Sequence, residues 1–271
     1  MNLSTFPANF DAAVDAGLEW LTDSGAQVFD WINGVLTSLV DALSWVLNLA
    51  PFYVVALAIG ALAWRLSGHW RSAALTVIGL LVCALIGMWS ETMSTLALVL
   101  AATTLALLVG IPCGVIGGLC PKLDGVAEPV LDLLQTLPPY IYLVPAIALL
   151  GYGPPTAFVA TFIVAIPPVL RLTALGIRMT PRAFIELGEA SGTRPMQLFF
   201  KIRLPFALPS IMTGVNQSLM MAFGMVVIAG IVGSGGLGEA IYGAIRTLDI
   251  ARSIDAALAI VILTLILDRL A

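Results

Sequence analysis

The chain has 271 residues, of which 60% are hydrophobic and 10% charged, with a formal net charge of −4. A soluble domain carries about 25% charged residues, so this composition excludes an ordinary water-facing surface. No nucleic-acid partner is expected, and the sequence reads as an all-α polytopic membrane protein.

Five stretches carry no Asp, Glu, Lys or Arg: residues 42–64, 72–90, 92–121, 133–170 and 204–238. About 20 apolar residues suffice for a helix to cross the hydrocarbon core. The first ten residues lack a basic region and a compact apolar core, so no cleavable leader is expected there. Residues 8–48 are amphipathic. Phe10, Val14, Leu18 and Leu21 share one helical face, while Asp11, Asp15, Glu19 and Asp23 form an acidic stripe. Trp31, Ile32, Val35, Leu36, Leu39 and Val40 repeat the pattern against Asp30, Asn33, Thr37, Ser38 and Asp41. Two helices follow, lying at the membrane interface or packed on the bundle.

Seven spans are expected near 50–66, 72–90, 93–119, 126–150, 156–176, 208–232 and 253–270. The uncharged stretch at 133–170 is too long for one crossing, and Gly151-Tyr152-Gly153-Pro154-Pro155 divides it. The chain thus falls into an amphipathic region (1–49), two accessory spans (50–92) and a core (93–271). Cys83, Cys113 and Cys120 lie in apolar segments without CxxC spacing and read as small buried hydrophobes. His69 stands alone in a short polar loop. No catalytic residue and no metal ligand set is identified.

Basic residues stay on the cytoplasmic side. With the N-terminus outside, ten of the twelve (Arg65, Arg71, Lys122, Arg171, Arg178, Arg182, Arg194, Lys201, Arg203 and Arg269) fall inside. Only Arg246 and Arg252 fall outside, and the C-terminus ends inside. The reading is therefore a multi-pass protein of a bacterial cytoplasmic membrane.

One connection is long. Residues 177–207 read as two short helices on the inner face. Thr180 is placed as an N-cap and Pro181 as a first helical residue. Gly192 supplies a left-handed stop and Thr193 caps the second helix. Leu198, Phe199 and Ile202 share a face, and Leu204-Pro205 is expected to end that helix. An element with one apolar and one charged face suits docking on a partner; it offers no nucleophile beside a base.

Glu186, then Gly192 six residues on, then Ile202, Leu204 and Pro205 have the spacing of the "EAA" loop of ABC importer permeases. The sequence resembles that family, with Leu187-Gly188 standing where two alanines are usual. Glycine weakens a helix by about 1 kcal/mol relative to alanine, which predicts a less rigid first helix here. Further stretches are similar to the glycine betaine/proline/choline branch. They are Tyr142–Pro145, Pro167–Thr173, Ala207–Gln217, Met225–Ala229, Gly235–Gly238 and Ile266–Leu270.

The resemblance implies a type I, binding-protein-dependent importer with a MetI-like five-helix core at 93–119, 126–150, 156–176, 208–232 and 253–270. It implies a permease homodimer, two ATPase subunits and an extracytoplasmic substrate-binding protein. ATP and Mg would then sit on the partner ATPase, with no cofactor in this chain. It also implies that Arg182, Glu186, Leu187, Gly188, Gly192, Phe199, Ile202, Leu204 and Pro205 form the coupling loop. The amino-acid (methionine-type) importers are the alternative within the class.

Polar groups inside spans are costly and often functional. Gln135, Thr136, Tyr140, Tyr142, Asn216, Gln217 and Met220 are therefore candidates for the translocation pathway. Tyrosine faces can hold a quaternary ammonium at about 0.5–2 kcal/mol per contact. The same tyrosines would also suit an interfacial belt, and Asn216 and Gln217 could bridge helices. An ion-coupled carrier would need a charged group near mid-membrane, and the five uncharged stretches speak against one. Gly233–Gly238 lacks the Lys-Ser/Thr of a phosphate loop and reads instead as a tight outer turn before a short helix at 239–246.

Overall fold

The computed structural model describes the backbone of residues 6–269, with the side chains of all of these except 6–11, 13–15 and 121. The end of the last expected span, residue 270, and the first half of the segment read as lacking a leader lie outside the described residues. So do the side chains of Phe10, Asp11, Val14 and Asp15 on the N-terminal stripes.

Every regular element is helical. The N-terminal region is one helix, α1 (Phe6–Asn48), rather than two. No proline interrupts it, and the helix period runs unbroken through both amphipathic stretches. Pro51 then turns the chain by 102° into α2 (Phe52–Ser67), which pairs with α3 (Trp70–Leu85). Each of these has 16 residues. At 1.5 Å per residue that is about 24 Å, short of a hydrocarbon core of about 30 Å.

Three long helices form the centre: α4 (Trp89–Leu119), α7 (Pro154–Arg178) and α10 (Leu204–Ala229). Helix α7 lies between the other two and packs extensively on both. The approach is close because small residues line it. A Cβ on Gly114 would stand 2.6 Å from the Leu170 carbonyl oxygen, and one on Gly118 2.7 Å from Ile177 Cβ. Association of helices in lipid depends on such intimate packing, since burial from water supplies no drive there. Met93, Val99, Phe158, Val226, Leu237 and Leu263 belong to the main core, and Ile177, Ala207 and Ile211 to a smaller one nearer the inner end.

The expected span at 126–150 is not straight. It comprises α5 (Pro121–Thr136) and α6 (Tyr140–Leu150), bent by 97° at Pro138-Pro139. Charged side chains tie α5 to α7. Arg178 pairs with the buried Asp124, and two turns earlier Arg171 pairs with Asp132 and donates to Gln135 Oε1 at 2.8 Å. These contacts strap α5 along the C-terminal end of α7.

Helix α8 (Arg182–Ala190) and the single turn α9 (Pro195–Leu198) form the loop between α7 and α10. After α10, α11 (Gly236–Thr247) lies across the opposite end, and α12 (Ile250–Asp268) closes the bundle. Helix α11 begins three residues before the expected 239–246 helix. It is held by the Leu237 N–H, which donates to Thr95 Oγ1 at 2.8 Å. Among the described residues, four helices are long and apolar enough to cross a membrane, or up to six if each bent pair is one span. The seven expected spans are therefore reduced. The prolines at 138–139 turn one expected crossing into a bent pair, Pro51 bends the chain where the expected amphipathic region meets the first span, and α2 and α3 are short. The cysteines also divide: Cys83 is buried, whereas Cys113 and Cys120 are exposed on α4. The apolar sequence around those two lies on an exposed face at the end of α4, not in the core.

Candidate coupling loop and pathway

The loop between α7 and α10 is built on Gly192, which takes φ +70° and ends α8. The Thr193 N–H returns to the Gly188 carbonyl and the Gly192 N–H to the Glu189 carbonyl, both at 3.0 Å. These are the paired bonds of a left-handed helix stop. The two predicted side-chain caps do not form. Thr180 is buried and donates from Oγ1 to the Ile177 carbonyl at 3.0 Å, closing the end of α7. The residue before α8 is Pro181, in extended conformation, so Pro181 itself takes the cap position. Arg194, not Thr193, precedes α9, and Thr193 is spent on the glycine stop.

Gly188 is the buried residue of α8. A Cβ there would stand 2.6 Å from Leu198 Cδ1 and 3.1 Å from Ile202 Cδ1. The glycine that weakens the helix on paper is where the next segment crosses over it. Leu198 and Ile202 clamp the bare backbone, so the predicted loosening is offset by packing.

The expected end at Leu204-Pro205 is absent. Residues Phe199–Arg203 form a π turn that runs directly into α10, giving one helical rod over Pro195–Val232. The Leu204 N–H donates five residues back, to the Phe199 carbonyl. The wide turn steps over the place where Pro205 has no N–H to give, and Pro205 becomes a first-turn proline of α10.

Of the coupling-loop candidates, Arg182, Glu186 and Leu187 are exposed on α8, Gly188 is buried, and Gly192 forms the turn. Phe199, Ile202 and Leu204 are half-buried and Pro205 is exposed. Sequence reasoning missed Met196 and Phe200, which are exposed, like Leu187 and Met179 elsewhere in the same loop region, and lie one turn apart. Their i, i+4 spacing carried the signal. The loop thus exposes these large apolar side chains among the charged Arg182, Glu186, Glu189, Arg194 and Lys201. A cleft of about 310 Å³ lies between Leu119 at the foot of α4 and Leu198, Phe199 and Arg203. Phe184 and Phe206 stack with ring centroids 5.0 Å apart, tying α8 to the start of α10.

The pathway candidates do not converge. Gln135 is engaged by Arg171, and Thr136 Oγ1 donates to the Leu133 carbonyl at 3.2 Å. Tyr142 is buried with its hydroxyl donated to the Leu134 carbonyl across the bend, so it braces α6 on α5 and presents no ring face to a solute. Tyr140 is exposed. Asn216 Nδ2 donates to Asp268 Oδ1 at 3.3 Å, joining α10 to α12. Gln217 and Met220 lie with Thr213, Met221 and Gly224 along an exposed stripe of α10.

A three-helix centre of small-residue packing, with a docking loop continuous with one of its helices, is the architecture of a transporter's membrane subunit. Residues 110–271 match the family described as the binding-protein-dependent transport system inner membrane component, and the chain belongs to that family. It is 38% identical to the glycine betaine/proline betaine transport system permease protein ProW of Escherichia coli, over 96% of this chain and 73% of that protein. It is likewise 38% identical to the glycine betaine transport system permease protein OpuAB of Bacillus subtilis, over 95% of this chain and 91% of that one. In Listeria monocytogenes the glycine betaine/carnitine transport permease protein GbuB is 37% identical over 89% of this chain. A solved inward-facing structure of the MetNI methionine ABC transporter superposes with a TM-score of 0.56 at 25% identity, covering 64% of this chain and 88% of that chain. The chain is thus a multi-pass inner-membrane transport subunit with a MetI-like fold.

Proposed function

We propose that this chain is the permease of an ATP-driven importer for glycine betaine and related quaternary ammonium solutes. The observation that carries the substrate class is the 37–38% identity to three permeases named for glycine betaine transport, each matched over 89% or more of this chain. A methionine-type cargo rests only on the more distant structural likeness at 25% identity.

On this reading two copies pair, two ATPase subunits dock beneath them, and an extracytoplasmic binding protein delivers the solute. ATP and Mg belong to the ATPase. The N-terminus lies outside and the C-terminus inside, which puts Arg178, Arg182, Arg194, Lys201 and Arg203 in the cytoplasm as the distribution of basic residues requires. Residues 1–49 are an interfacial region, 50–92 an accessory pair, and 93–271 the permease core with its coupling loop at 177–207.

Exposed Leu187, Met196 and Phe200 seat in the ATPase, with Arg182 and Glu186 fixing their orientation. Closure of the ATPase dimer moves this loop, and the rod from Pro195 to Val232 carries the movement into the bundle. The stripe of Gln217 and Met220, with Tyr140, borders the pathway. The permease does no chemistry; its contacts differ between two states, and transport follows from that difference.

The test is uptake of labelled glycine betaine and choline by cells producing this chain with its neighbouring ATPase and binding protein, beside a Glu186→Ala strain. Uptake that falls in the variant supports the reading. An assembled complex that carries neither solute refutes the substrate class, and variant uptake equal to wild type refutes the role of Glu186.

A further inference from the structure

Helices α3 and α12 run side by side, the start of α3 against the end of α12. Gly79 lies at their closest approach, where a Cβ would stand 2.7 Å from Ile262 Cγ2. Beside it runs a groove of about 320 Å³, walled by Leu75, Ile78, Val82 and Leu265 and open along its length. Leu75, Ile78 and Leu265 are all exposed at its rim. Besides the buried Thr76 one turn further in, the polar residues lining the groove are Ser72 and Arg269, together at one end.

Among the described residues the Arg269 side chain makes no hydrogen bond or ion pair. Its neighbour Asp268 is turned to Asn216. Arg71 and the exposed Trp70 begin the same first turn of α3 as Ser72, and that turn offers the positive end of a helix dipole. A tryptophan at such a position marks the headgroup level. An apolar channel in the hydrocarbon, ending at that level in an unpaired guanidinium and a hydroxyl, is complementary to one kind of molecule.

We propose that this groove is a specific site for an anionic glycerophospholipid. One acyl chain lies along Leu75, Ile78 and Leu265, and the phosphate is held by Arg269 and Ser72. Arginine suits the role because its planar fork of donors matches phosphate oxygens bidentately. A zwitterionic lipid would fill the groove equally well but bring its own ammonium to the Arg269 end. The site lies apart from the coupling loop and from the α10 stripe, so the inference stands or falls independently of the cargo.

The experiment is native mass spectrometry of the chain purified from membranes and exchanged into detergent with palmitoyl-oleoyl phosphatidylglycerol or the matching phosphatidylcholine. Phosphatidylglycerol is expected to stay bound at one molecule per chain and phosphatidylcholine to wash away. Arg269→Gln lowers retention about fivefold, the effect of one basic residue at a membrane surface. Arg269→Lys keeps most of the retention, and Leu265→Trp, which fills the groove without touching the charge, abolishes it. Equal retention of the two lipids overturns the proposal, as does retention unchanged in Arg269→Gln. A Leu75→Cys variant in a cysteine-free background that cross-links to its own kind shows a second copy in the groove, and overturns it equally.

Discussion

Gly188 lies against Leu198 so closely that the glycine's missing Cβ would stand 2.6 Å from the Leu198 Cδ1 atom. This contact joins α8 to the rod that continues into the membrane, and sets the angle at which the loop is offered to a partner. Overpacking a filled site costs about 1–3 kcal/mol. Gly188→Val is therefore expected to leave the bundle intact but reduce ATPase co-purification, and Leu198→Ala in the same chain to restore part of it. Pull-down of the ATPase on each variant checks the pair; a valine that binds the ATPase as well as glycine does would remove the contact from the mechanism.

The strap of α5 depends on Asp124, buried opposite a partly exposed Arg178. Breaking a fully buried pair costs about 3–5 kcal/mol, and exposure of one partner reduces this. Asp124→Ala is expected to lower stability by about 2 kcal/mol, and Arg178→Ala added to it to recover part of the loss because no charge is left unpaired. Thermal unfolding in detergent gives the order of the three proteins. A double variant less stable than either single would contradict the pairing.

Two glycines three residues apart on α4 should behave differently. At Gly114 a Cβ would press on the Leu170 carbonyl, which is backbone and cannot turn aside, whereas at Gly117 the nearest atom is Asp124 Oδ1 at 3.3 Å. Gly114→Ala is expected to destabilise by about 1–3 kcal/mol and Gly117→Ala by much less. The fraction of each variant recovered as a monodisperse species measures the contrast.

Tyr140 and Tyr142 separate transport from stability. Tyr142→Phe removes a hydrogen bond across the bend and is expected to cost about 1 kcal/mol of stability with unchanged uptake. Tyr140→Ala, at an exposed ring, should change uptake and leave the melting temperature in place. The reverse pattern would exchange the two roles.

Much of this was legible in the sequence, and the exceptions share a cause. Gly192 and the spacing from Glu186 to Pro205 located the loop, because a left-handed stop and a periodic apolar face are local features. The uncharged runs located the long helices α4, α7 and α10 for the same reason. Proline was harder to read. Pro138-Pro139 bends the chain sharply inside an expected continuous span, and Pro51 bends it at the expected boundary between the amphipathic region and the first span, while Pro205 sits inside a continuous rod where a break is expected. The difference lies in what neighbouring backbone does: the Leu204 N–H reaches back five residues and bridges the gap, and no residue name announces that. The caps at Thr180 and Thr193 failed similarly, because each found another partner, the end of α7 or the glycine stop, through tertiary placement. Tyr142 was drawn toward a solute by its chemistry and toward Leu134 by the fold.

The rod from Pro195 to Val232 has 38 residues, about 57 Å of nearly unbroken helix. At one end it carries the loop surface, and at the other the Val232 carbonyl accepts from the Gly153 N–H, 2.9 Å away at the head of α7. One element therefore reports to both sides of the membrane. Thermodynamics then imposes symmetry: a protein that docks at the far end and biases the rod must change the ATPase's affinity by some factor, and the ATPase must change that protein's affinity by the same factor.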